Sequence, residues 1–111
     1  MAYDEDVANR VRELVALEDG LDERRMFGGL AFLIDGNLAL AVSQRDALLV
    51  RVGPDGAADA LSRPHTEQAV MGGRVMRGWV YVSFEGVRTK RELAPWARRA
   101  IAFARSLPPK D

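Results

Sequence analysis

The sequence predicts one small domain of mixed α and β structure, α/β in composition and α+β in layout. A largely antiparallel, five-stranded sheet is expected between an N-terminal and a C-terminal helix. Three observations carry this. Apolar residues recur at helical spacing near both ends. Asp35-Gly36 and Gly72-Gly73 mark two tight hairpins between them. With 111 residues, 48% apolar and 29% charged, the chain can form one packed core but not two, so residues 1–111 are read as a single domain.

The first helix is expected over Asp4 to Glu18. Val7, Val11, Leu14 and Val15 make one stripe, Asp4 supplies the N-cap, and Asp19-Gly20 the stop. The acidic stretch Asp19–Glu23 reads as a solvated loop. Leu30–Ile34 and Asn37–Ser43 then flank Asp35-Gly36, a type I′ signal. Counting outwards pairs Ile34 with Asn37, Leu33 with Leu38, Ala31 with Leu40, and Gly29 with Val42. A third strand, Ala47–Val52, follows a turn around Arg45-Asp46. Ala57–Leu61 forms a brief helix before Arg63-Pro64.

Val70 to Val75 reads as a second hairpin across Gly72-Gly73, and Gly78 as a bulge in the returning strand, Val75–Phe84. That strand alternates Val80 and Val82 against Trp79 and Tyr81. The last helix opens with the capping box Thr89-Lys90-Arg91-Glu92. Pro95 is expected to kink or break it after one turn, with a second segment running from Pro95 to Ser106. Trp96, Ala100, Phe103, Ala104 and Leu107 supply its stripe.

Several chemistries fail on residue type alone. No cysteine is present, which removes disulfides and thiolate sites and fits a cytoplasmic address. The acidic start is not a signal peptide, and no apolar run approaches the roughly 20 residues of a membrane span. Phe27-Gly28-Gly29 leads into a strand rather than a helix and lacks the Lys of a phosphate loop, so these glycines are read as structural. His65 is the only histidine and reads as a loop residue. No ligands converge on it in sequence, so no catalytic residue, metal or cofactor is assigned.

The net charge is zero but unevenly spread. Residues 1–23 carry eight acids and two bases, whereas residues 87–111 carry two acids and seven bases. Arg91, Arg98 and Arg105 stand at heptad spacing on the last helix. One basic helix face on a neutral chain predicts weak or no direct nucleic-acid binding. Three helices can cover one face of a five-stranded sheet, yet both faces are apolar. A partner surface including Leu49, Trp79 and Tyr81 is therefore expected, with the stripe of Arg91, Arg98 and Arg105 as a further candidate, serving a homodimer or another protein.

Arg25-Met26-Phe27-Gly28-Gly29, Gly78-Trp79-Val80-Tyr81-Val82 and Leu93-Ala94-Pro95-Trp96-Ala97, with the ending at Pro108-Pro109, together resemble the N-terminal domain of the TfoX/Sxy family. The resemblance runs from about Glu5 to Leu107. It implies a two-layer fold, α-β-β-β-α-β-β-α, similar to type III secretion chaperones. It marks Met26, Phe27, Gly28 and Gly29 as a structural motif and brings no catalytic residues. Founding members regulate bacterial competence genes together with a cyclic-AMP receptor protein. They also carry a C-terminal helical domain, so a stand-alone N-terminal domain is expected here. Two classes stay open: a non-catalytic protein-interaction module in transcription or competence regulation, and a small-ligand binder or enzyme of unrecognised type.

Overall fold

The computed structural model describes residues 3–26, 28–43 and 46–110. Three helices, α1 (Glu5–Val15), α2 (Ala57–Leu61) and α3 (Lys90–Ser106), accompany six strands. These are β1 (Leu21–Met26), β2 (Gly29–Ile34), β3 (Asn37–Val42), β4 (Ala47–Arg51), β5 (Thr66–Met71) and β6 (Arg74–Ser83). The α+β class holds. All pairings are antiparallel, in the spatial order β1-β2-β3-β4-β6-β5.

The sixth strand is β1, where the sequence suggested a loop. Its residues, Leu-Asp-Glu-Arg-Arg-Met, show no apolar alternation, so β structure comes from pairing with β2 rather than from local preference. A charged, exposed edge also resists pairing with a second sheet.

The helix ends follow their sequence signals. Asp4 Oδ1 accepts the amides of Asp6 and Val7 at 2.9 and 3.1 Å. Thr89 and Glu92 complete the capping box at the start of α3. Pro95, expected to break that helix, lies inside it. Its missing N–H would have served the Arg91 carbonyl, on an exposed residue of the first turn where water can substitute.

Asp35 and Gly36 have φ of 51° and 83°, as the type I′ turn requires. Leu33 pairs with Leu38 and Ile34 with Asn37 as counted. A register shift at Phe32/Leu33 then corrects the rest: Phe32 faces Leu40, Ala31 faces Ala41, and Leu30 faces Val42. Ala39 is the unpaired extra residue. The shift gathers Leu30, Phe32, Ile34, Leu40 and Val42 with Leu48, Val50, Val80 and Val82 beneath α1 and α3. Large side chains therefore meet large ones on that face, not small ones.

The opening glycines are structural. Gly28 (φ 77°) sits in the connection between paired Met26 and Gly29; Phe27, also in that connection, lies outside the described residues. A Cβ on Gly29 would come 2.3 Å from the Val42 carbonyl oxygen, a backbone atom that cannot yield without moving β3. Gly29→Ala should therefore destabilise by about 2 kcal/mol or more through backbone displacement. Gly28→Val should lose about 1–3 kcal/mol to positive-φ strain. Urea denaturation of both variants checks this, and an unchanged midpoint for Gly29→Ala would contradict the close approach.

Candidate functional site

The two faces of the sheet differ in kind. Ala31, Leu33, Ala41, Leu49, Ala69 and Tyr81 form a second buried cluster, with Met26, Leu38, Ala47, Met76 and Trp79 partly buried around it. Every one of these residues lies in a strand, and among the described residues no apolar helix side chain belongs to the cluster. Strand alternation sends Val80 and Val82 under the helices and Trp79 and Tyr81 to this helix-free face.

Leu49 and Tyr81 pair across β4 and β6 and are only 4% and 7% exposed. They are the floor of the surface rather than its contact layer. Trp79, Met26, Met76 and Leu38 are the half-covered side chains that reach water. Arg51, which pairs with Trp79, closes one margin. Its guanidinium stands 5.0 Å from the Trp79 ring and 5.3 Å from Phe103 of α3, and donates to the Leu38 carbonyl at 3.4 Å. Burial between these rings pulls the Arg51 pKa below its usual value. The alternation Leu49-Val50-Arg51 in the sequence is the signal that places Arg51 on this face.

The three arginines of the α3 heptad do not act as one stripe. Arg105 donates to Glu18 Oε1 at 2.7 Å and to the Asp19 carbonyl at 3.1 Å, tying α3 to the end of α1. That contact raises its pKa, first through the Glu18 hydrogen bond. Arg91 is exposed, and Arg98 lines a cavity.

The cavity, of about 580 Å³, lies between α3 and the segment joining α2 to β5. Arg63, His65, Arg98 and Arg99 bring four basic side chains to it. Asp59 Oδ2 accepts from Arg99 Nη2 at 2.5 Å and from Arg63 Nη2 at 3.3 Å, so one oxygen serves two guanidinium groups. Arg99 also stacks on Trp96, 5.5 Å from the ring centroid. His65 has φ of 66°, its Nδ1 is 3.9 Å from Glu85, and its side chain presses on Gly86, where a Cβ would come within 2.8 Å. Residues 63 and 65 stand more than thirty positions before 98 and 99, so only the fold reveals the cluster. Among the described residues, no group of three or more His, Asp or Glu side chains could hold a metal ion, and no helix is long and apolar enough to cross a membrane.

The Asp59 carboxyl lies below its ordinary pKa, because of the Arg99 hydrogen bond first and the Arg63 bond second. A depressed folded pKa gives stability that is present above the unfolded value and lost as pH falls through the folded one. The gap in thermal midpoint between wild type and Asp59→Asn should therefore be widest at neutral pH and shrink below about pH 4. A gap that stayed constant down to that range would contradict this coupling.

Among known proteins, the family model described as TfoX N-terminal domain matches residues 13–104. No curated protein and no solved structure matches the chain.

Proposed function

We propose that this chain, which belongs to the TfoX N-terminal domain family, is a non-catalytic protein-interaction module acting in transcription regulation. Its protein partner docks on the helix-free face of the sheet. The observation that carries this reading is the strand-only apolar cluster, whose Met26, Leu38, Met76 and Trp79 side chains remain half-covered. Apolar area left in contact with water favours association at roughly 25 cal/mol per Å² buried, and interface cores are enriched in Trp, Tyr and Met.

Contact with DNA is left to the partner. The chain carries no net charge, and Arg105 of the basic helix face is already held by Glu18. Such a surface releases few counterions on a duplex. A cytoplasmic location accompanies this role. The small-ligand reading has one observation of its own in its favour, the basic cavity beside His65.

Trp79→Glu tests the face at a partly exposed position, where the new charge can still reach water. Leu49→Glu is unsuitable, since it would bury a charge at a 4% exposed site. Wild type should form a dimer by light scattering or retain a specific protein in a pull-down from its native cell. Trp79→Glu should lose that association at an unchanged thermal midpoint. Identical behaviour of the two proteins would count against the face. Sub-micromolar, sequence-specific DNA binding by this chain alone, read by anisotropy at physiological salt, would count against a role confined to protein contacts.

A further inference from the structure

The structure assigns a second site: the cavity between α3 and the α2–β5 segment binds a small organic phosphate. Its volume, about 580 Å³, falls in the range of small-molecule pockets and exceeds what a bare inorganic anion would fill. Its charge selects an anion. Arg63, Arg98, Arg99 and His65 line it against one carboxylate, Glu92, which already accepts from the Thr89 amide and hydroxyl at 3.2 Å each. Asp59 divides one oxygen between Arg63 and Arg99, and Arg98 has no ion-pair partner among the described residues.

Arg99 is the wall residue best oriented for this role. Its guanidinium is held in place by Asp59 on one side and the Trp96 ring below, so its fork is oriented before any ligand arrives.

Several arginines lining one pocket suit a dianionic phosphate better than a single carboxylate. The rest of the wall suits an organic body, since Pro64, Pro95 and Trp96 supply apolar surface next to the cations. The assignment does not depend on the helix-free face being a partner surface.

Phenyl phosphate, inorganic phosphate and benzoate titrated into the full chain distinguish the possibilities, read by amide and indole chemical shifts and by calorimetry. Phenyl phosphate should give saturable shifts at Trp96, Arg98, Arg99 and Gly86, with a Kd below about 1 mM. Inorganic phosphate should compete at the same residues but about tenfold more weakly, lacking the apolar body. Benzoate should bind weaker than phenyl phosphate. Arg99→Lys retains the charge and removes the fork, and should lower affinity about tenfold while the domain stays folded by its amide spectrum. Arg98→Ala, on an exposed residue, should lower it about fivefold without touching the fold. The proposal is overturned if phenyl phosphate gives no saturable shift at these residues, if benzoate binds as tightly, or if both variants bind like wild type.

Discussion

Helices α1 and α3 both set their apolar stripes on the same face of the sheet, and that one-sidedness governs most of what the molecule can do. Val7, Val11 and Val15 of α1 share one core with Leu93, Trp96, Ala97, Ala100 and Ala104 of α3. Between them these residues cover the β-branched and leucine face built by β2, β3, β4 and β6. With α2 contributing Ala60 to the same core, no helix remains for the other face. Strand alternation cannot leave that face empty. It is filled with alanines sunk among larger neighbours, so most of it is dry without a second layer, while Trp79 and the methionines stay at the margin. The helix-free face is thus the consequence of all three helices serving one core.

α3 is the element on which the remaining parts converge. Its buried edge completes the core, and its last turn is tied to α1 through Arg105 and Glu18. Lys90 pairs with Glu13 at its other end. Beyond α3 the chain returns to the β2–β3 hairpin, where the Lys110 amide donates to the Asp35 carbonyl at 2.7 Å and Asn37 Nδ2 donates to the Pro108 carbonyl at 2.9 Å. Both ends and the middle of α3 are fixed, so the cavity wall that Trp96 and Arg99 form is carried on a rigid element. A site on such a support keeps its geometry better than one on a loop.

What the sequence made legible was whatever local chemistry decides. Asp4, the Thr89–Glu92 box and Asp35-Gly36 each act within four residues, and each stands where its pattern placed it. The alternation of β6 likewise sorted Trp79 and Tyr81 from Val80 and Val82, because period 2 is a property of the strand itself. The misses came from non-local causes. β1 has a loop-like sequence and becomes a strand only because β2 presents an unpaired edge. The extra residue Ala39 carries no bulge signature, so the counted register slipped by one beyond Leu33. Pro95 survives inside α3 because the lost hydrogen bond falls on a wet carbonyl, which no residue type announces. The basic cavity was illegible for the same reason. Arg63 and His65 read as loop residues until the β5–β6 pairing brings them against α3.

His65 is where the two surfaces meet. It lines the basic cavity with Arg98 and Arg99, and also a smaller cleft of about 280 Å³ with Glu67 and Tyr81, the latter a floor residue of the helix-free face. Its backbone is held at φ 66°, a conformation that non-glycine residues adopt at a cost and keep only where neighbours fix it. The fixing is visible: the Ser83 amide donates to the His65 carbonyl at 2.8 Å, and Gly86 gives up the space a side chain would need. Both restraints come from the end of β6 and the turn after it, the same strand that carries Trp79 and Tyr81. Strand β6 thus carries Trp79 and Tyr81 on the helix-free face and, through its end, fixes His65 at the cavity.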